Sequence, residues 1–558
     1  MSEIIPEEHP FRDDDETAEL KKLNDELRAN PDDYDVWEKL VRATENLEGG
    51  LNRNSSPQAQ QAARYVYHNF LAKFPLFFGY WKKWADLEFS LVGTESAESI
   101  YERAVSSVTV SVDLWTSYCN FKVDTCHEPE LVRELFDRAA DSVGLDFLAH
   151  PFWDKYIEYE ERLELPERIF AILSRVVHIP LHQYSRYFDR FRTMSHTRPV
   201  HELVPEGLFR QFSAECVSAA QMKGGNELDI ERDLRSKIDQ YYLEVFHRTQ
   251  AETSKRWTFE QEIGRPYFHV TEIEPAHITN WNRYLDFEEA EGDYRRVVLL
   301  YERCLVPLAL YDEFWLRYAR YMYSQENKTE ETRRIYDRAA CHYTPIARPA
   351  IRMQWALMEE ATGRADVAAN IFESILDYSL PDDLSIITRL ANLKNRQDGQ
   401  DAAMAVYNEH FSKPYASAAT RGGIVTGMAK LVYQSSRDAE QARQIYNNNC
   451  DVCIDSETFW TGWLSFEISL PAYPKHLAQV KAVHHQIRTL SRLPAENVKA
   501  LSQQYMVFLT ERGDKSAAME YLDLDALVNG SSVVTSFMRA RMAVGTEMAA
   551  AAKVNGNH

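Results

Sequence analysis

Residues 79–105 read Gly79-Tyr-Trp81-Lys-Lys-Trp84-Ala-Asp-Leu-Glu88-Phe-Ser-Leu-Val-Gly-Thr-Glu-Ser-Ala-Glu-Ser-Ile-Tyr101-Glu-Arg-Ala104-Val105. The first half puts two indoles three residues apart, on one face of a helix, with apolar residues one turn on. The second half ends in Tyr-Glu-Arg-Ala-Val, a small residue flanked by large ones, which lets two helix axes approach so that a Trp ring spans the gap. Neither helix can hide its stripe alone, so the pattern must recur, and it does. First halves return at Trp115–Tyr118, Trp153–Tyr156–Glu160, Trp281–Tyr284–Glu288, Trp315–Tyr318 and Trp460–Trp463–Glu467. Second halves return as Phe136-Asp-Arg-Ala139-Ala, Tyr301-Glu-Arg-Cys304-Leu and Tyr336-Asp-Arg-Ala339-Ala. The small residue follows its Trp by 23 or 24 positions each time, and Trp81, Trp115 and Trp153 are spaced by 34 and 38. That interval is one helix–turn–helix unit of a solenoid array.

Weaker copies fill the gaps: Trp37–Leu40 with Tyr67 and Phe70, Trp355–Glu359 with Phe372, Ile387–Leu390 with Tyr407, and Tyr505–Phe508 with Tyr521. About eleven or twelve units result. The spacing predicts an all-α solenoid of helix pairs in two arrays joined by a long spacer helix. Residues 1–30 read as an acidic lead-in, 31–198 as an N-terminal array, 199–275 as a linker, 276–527 as a C-terminal array and 528–558 as a closing helix and tail. Inside the linker, apolar residues from Ile230 to Val245 recur at heptad-like intervals and predict a helix over Leu228–Ser254. A charge of −22 opposes nucleic-acid binding by the surface as a whole. Seven scattered cysteines do not form a disulfide framework. No apolar run is long enough to cross a membrane, and a soluble intracellular protein is expected.

The half-motifs resemble the half-a-TPR (HAT) repeat, found mostly in RNA-processing proteins. Ser254-Lys255-Arg256-Trp-Thr-Phe-Glu260 and Gly264-Arg265-Pro-Tyr-Phe-His-Val270, placed just before Asn280-Trp281, narrow the resemblance. With Gly79–Glu88, Ser111–Trp115 and Tyr311–Trp315 they are similar to the pre-mRNA-processing factor 39 family over residues 65–525. The resemblance implies a nuclear, non-catalytic scaffold that supports assembly of the U1 small nuclear ribonucleoprotein and its engagement with the 5′ splice site. It also implies a dimer through the C-terminal array, with itself or a paralogue, U1 proteins as partners, and only indirect or minor RNA contact. Scaffolding of another RNA machine, of the 3′-end cleavage or crooked-neck type, and direct single-stranded RNA binding remain the alternatives.

Three groups of residues are the candidates for function. The repeat core is Trp81, Trp84, Ala104, Trp115, Tyr118, Ala139, Trp153, Tyr156, Trp281, Tyr284, Cys304, Trp315, Tyr318, Ala339, Trp460 and Trp463. Tyr505, Phe508, Leu509, Tyr521, Leu522 and Leu524 form a dense apolar end where a solitary terminal repeat should be polar, and are read as the dimer contact. Arg186, Arg190 and Arg192 form a cationic-aromatic patch that docks an acidic tail or RNA backbone, or is simply a solvated helix face. Lys255, Arg256 and Arg265 lie among rings that could stack on unpaired bases, or that close the spacer helix and pack on the first repeat of the second array. The Glu of each first helix is expected to bond the Arg of a second helix. No enzyme signature is found, and neither metal nor cofactor is expected. Pro205 stands where His201-Glu202-Leu203-Val204 would need a second zinc-binding His, and Cys450-Asp-Val-Cys453 has no second pair. Gly513-Asp-Lys-Ser516 lacks the upstream Gly of a phosphate loop, and His484-His485 reads as surface.

Overall fold

The computed structural model describes Phe11 and residues 18–223 and 226–541. Among these residues every regular element is helical, and successive helices pack as pairs, an α-solenoid. The local chemistry marks each start. Asp33, Ser56, Ser111, Ser417 and Ser456 each accept the backbone N–H three residues on at 3.2–3.3 Å. Pro57, Pro129, Pro166 and Pro275 occupy first turns, where no N–H is needed. Within a pair, the reversal repeatedly uses one residue in the left-handed region. Glycine serves at Gly93, Gly292, Gly363 and Gly399, while Glu164, Asn327 and Arg437 accept the strain elsewhere.

The chain divides into two compact units between Thr344 and Pro345. In the first, the helix Ala18–Ala29 buries Leu20, Leu23 and Leu27 against the pair Tyr34–Glu45 and Pro57–Lys73. Regular pairs follow: Phe78–Leu91 with Thr94–Ser107, Val112–Thr125 with Pro129–Val143, and His150–Arg162 with Pro166–Val176. Tyr184–Ser195, Glu206–Lys223 and the long helix Glu227–Gln261 interrupt the series. It resumes with Pro275–Glu291 and Tyr294–Cys304, then Asp312–Tyr323 and Thr329–Arg338, closed by a π-helical turn at Ala339–Tyr343. The second unit holds five pairs between Ala350 and Asn529.

The segment read from the sequence as a linker, 199–275, lies wholly within the first unit, and the boundary at 344/345 falls inside the span read as one array. Residues 257–303 pack on the turns of the N-terminal pairs. Trp257 stacks on His182 at 5.1 Å, Phe268 meets Phe77 at 5.0 Å, and Arg303 pairs with the buried Asp146 at 2.9 Å. The acidic residues before Phe11 and the tail beyond Arg541 lie outside the described residues.

Candidate interaction surfaces and the seams between repeats

Six of the repeat tryptophans are fixed by the ring nitrogen. The indole N–H of Trp37, Trp81, Trp115, Trp315 and Trp460 donates to the carbonyl six residues upstream, at 2.7–3.0 Å, in the turn that leads into its helix. Trp153 uses the carbonyl of Gly144 instead, at 3.0 Å. The donor is thus satisfied inside a buried site, and the turn is tied to the helix that follows it. Trp281 is equally buried, and Ala104, Ala139, Cys304 and Ala339 are completely so.

The aromatic three residues after the Trp reaches the preceding unit. Tyr118 stacks on Tyr101, Tyr156 on Phe136, Tyr284 on Phe259 and Tyr318 on Tyr301, with centroids 4.5–5.0 Å apart and planes within 16°. Its hydroxyl donates to the carboxylate that follows that ring: Glu102, Asp137, Glu260 and Glu302, at 2.8–3.1 Å. Burial, reinforced by the neighbouring carboxylate, raises the Tyr118 and Tyr318 hydroxyls far above the usual phenol range, so both stay donors. Three of these carboxylates also accept the next unit's arginine with two bonds each: Arg138 on Glu102, Arg303 on Glu260 and Arg338 on Glu302. Arg138 and Arg338 then lie over Trp115 and Trp315, 5.7 and 5.4 Å from the ring centres.

The Tyr-Glu-Arg arginine therefore serves the carboxylate of the preceding second helix. The Glu of the first helix takes a different arginine, three residues before the second-helix ring. These pairs are Arg64–Glu88, Arg133–Glu160, Arg256–Glu288 and Arg443–Glu467, with closest approaches of 2.6–2.8 Å and every Glu at 2% exposure or less. At one seam the polarity is reversed, Glu98 on the second helix pairing with Lys122 on the first at 2.7 Å. Where the second-helix ring is followed by His68 or Asn447 rather than a carboxylate, the partner aromatic is Trp84 or Trp463, stacked on Tyr67 and Tyr446. The indole nitrogens of these two are buried without a partner.

The candidate cations are placed very differently from one another. Arg256 is 2% exposed and belongs to the buried ladder, with Glu288 and Glu252 as partners. Lys255 pairs with Glu252 and Glu291, and Arg265 donates to the hydroxyl and carbonyl of Thr271. The block 254–260 is a second-helix half-motif carried on the end of the long helix, which runs on to Gln261 rather than stopping at Ser254. Its Arg-x-x-Phe-Glu spacing repeats that of Arg133-x-x-Phe-Asp, and that signal was available in the sequence. Arg186 pairs with Asp154 at 2.6 Å and Arg190 with Glu161. Arg192 is exposed, as Arg186 is, but it alone of the three has no carboxylate partner among the described residues.

At the C-terminal end, Tyr505, Phe508, Leu509 and Leu524 lie in the second unit's own core, at most 3% exposed, and Tyr521 packs partly against them. Leu522 is 66% exposed, and Val507, Met519, Val533 and Phe537 are exposed too. His484, read as surface, is buried. Its ring stacks on Tyr505 at 4.3 Å, and Nε2 lies 3.0 Å from the Ser502 hydroxyl. Ser502 donates its hydrogen to Val498, so His484 is the donor to Ser502. Burial, helped by Arg488, pushes the imidazole down to about 3. His485 beside it is exposed.

Comparison with known proteins follows the same span. Residues 21–193 match the family described as PRP39 N-terminal HAT repeat, and residues 254–396 the one described as PRP39 C-terminal HAT repeat. The chain is 44% identical over 533 residues to Pre-mRNA-processing factor 39 of Schizosaccharomyces pombe, covering 92% of this chain and 87% of that protein. It is 24% identical over 305 residues to the U1 small nuclear ribonucleoprotein component PRP42 of Saccharomyces cerevisiae, covering 53% and 56% respectively. The crystal structure of CSTF-77 matches with a TM-score of 0.53 at 12% identity, over 81% of this chain and 88% of that one, a likeness of fold.

Proposed function

Because the chain belongs to the pre-mRNA-processing factor 39 family of HAT-repeat proteins, we propose that it is a non-catalytic scaffold of pre-mRNA splicing. Its place is the U1 small nuclear ribonucleoprotein in the nucleus, where it supports assembly and engagement of the 5′ splice site through protein–protein contacts. The observation that carries this reading is the 44% identity running through nearly the whole length of both proteins. A relative that is itself named a U1 component supports it. The chemistry of the interior points the same way. The buried carboxylates, arginines and tyrosine hydroxyls are partnered across repeat seams, and burial pushes the Cys453 thiol up to about 11, away from the range of a nucleophile. With Lys255, Arg256 and Arg265 committed to intramolecular bonds, contact with protein is favoured over direct reading of RNA.

The scaffold acts as a dimer, with itself or a paralogue, through the end of the C-terminal unit. The exposed set Val507, Met519, Leu522, Val533 and Phe537 supports this, since apolar side chains at an outer end are unfavourable in water. Affinity purification from nuclear extract, with identification of bound RNA and protein, tests the function: U1 RNA should dominate. Recovery of a different RNA machine would replace this reading with that of a scaffold of the 3′-end cleavage or crooked-neck type. Sedimentation at micromolar concentration tests the dimer, and a species near 64.8 kDa would end it.

A further inference from the structure

Helix Tyr184–Ser195 follows the regular N-terminal pairs, but no Tyr-Glu-Arg helix comes after it. The long helix passes it instead, with Tyr242 against Phe191 at 4.5 Å and Phe246 against Phe188 at 4.6 Å. Beside these contacts the two helices fail to fill the space between them. A cavity of about 260 Å³ opens there, walled by Phe188, Phe191, Leu203, Ile238, Tyr242 and Leu243. The first five are at most 8% exposed, and Leu243, at 47%, sits on the rim. The space far exceeds the roughly 10–15 Å³ that one water needs, and the two hydroxyls in its wall are already engaged. The Tyr242 hydroxyl donates to the Leu203 carbonyl at 2.6 Å, and the Ser195 hydroxyl to that of Arg192 at 2.8 Å. An apolar wall whose hydroxyls are already satisfied favours an apolar occupant over water, with the free polar groups left at the rim.

The rim indicates what accompanies that occupant. Arg192 lines the cavity with no carboxylate partner among the described residues, whereas Arg186, Arg190 and Arg198 around it pair with Asp154, Glu161 and Glu202. Asp239 and Gln240, on the long helix, line it too. We propose that this cavity receives one large apolar side chain, Phe, Leu or Met, from an extended segment of a partner protein, with an acidic residue next to it. The apolar group fills the space between the helices, the neighbouring carboxylate pairs with Arg192, and backbone N–H groups of the segment donate to Asp239. A nucleotide fits less well, because its phosphate would face Asp239 as well as Arg192 on a chain of charge −22.

The site stands independently of the splicing role, so each can fail without the other. A phage-displayed random peptide library, panned against the full chain and counter-selected on Leu243→Trp, tests it. Enriched peptides should share one large apolar residue beside Asp or Glu. A synthetic peptide of that consensus should bind Leu243→Trp, which blocks the rim, and Arg192→Glu at least tenfold more weakly than the parent chain. Both substitutions fall on exposed positions, and unchanged melting curves would show that the fold is intact. No enrichment, enrichment of basic peptides only, equal binding to both variants, or displacement of the peptide by an oligouridylate would each overturn the proposal.

Discussion

Glu160 is fully buried against Arg133, and its role illustrates what one seam contributes. Replacing it with Ala leaves a guanidinium in a site that excludes water, and a loss of about 3 kcal/mol is expected in chemical denaturation of the first unit. The double reversal Arg133→Glu with Glu160→Lys copies the polarity of Glu98 and Lys122 and should recover most of that loss. Failure to recover any would show that the guanidinium's geometry, not the charge, holds the seam. His484 offers a pH readout. Its imidazole sits at about 3 in the fold against about 6.5 in an unfolded chain, so the unfolded state takes up the proton first as pH falls. The stability it confers is therefore complete above pH about 6.5 and is lost toward pH about 3, by at most about 1.4 kcal/mol per pH unit. His484→Phe should flatten that part of the denaturation profile of the second unit; an unchanged slope would refute the assignment. The register of Trp and aromatic was legible in the sequence because side-chain spacing encodes it. The acceptor of the six bonded indoles was not, being a backbone carbonyl that any residue supplies. The burial of His484 was also hidden, because it depends on Ser502 and Tyr505, which arrive from the next pair of helices.

Helices meet closely where glycine allows it. A Cβ on Gly422 would lie 2.1 Å from the Ser456 hydroxyl and 2.8 Å from the Phe459 backbone nitrogen, and one on Gly462 would lie 2.2 Å from the Thr426 hydroxyl. Alanine is the better helix former by about 1 kcal/mol, but overpacking against a backbone atom costs about 1–3 kcal/mol. Gly422→Ala should therefore destabilise the second unit, whereas Gly79→Ala, with open space around its Cβ, should be neutral or stabilising. Thermal melts of the two variants check the difference in sign. At this scale the sequence predicted where helix pairs recur, since aromatic spacing is local. The long helix was legible up to Ser254 through its heptad-like spacing, but its last turns change role. Residues 254–260 look like a cationic-aromatic patch when read by composition. They read as half of a repeat only when Arg256 and Phe259 are aligned with Arg133 and Phe136.

For the whole molecule, packing rather than repeat register decides which pieces can exist alone. Arg303 on Asp146, Phe268 on Phe77 and Trp257 on His182 join distant parts of the first unit, and no periodicity in the sequence reports such contacts. Chains cut between Thr344 and Pro345 should give two fragments with cooperative melts and resistance to limited proteolysis. A cut between Pro275 and Ala276 should give a first fragment that aggregates or is digested, because it strips partners from Asp146 and from the end of the long helix. The reversed seam between Glu98 and Lys122 carries a further consequence for how such a chain can be shortened. Excising 78–111 would bring Arg64 to face Lys122, cation to cation, and excising 112–149 would set Glu98 against Glu160, acid to acid. Removing both stretches at once, 78–149, returns Arg64 to a glutamate. The larger excision should then be the better tolerated, so that modules of this protein are lost in matched doubles rather than singly.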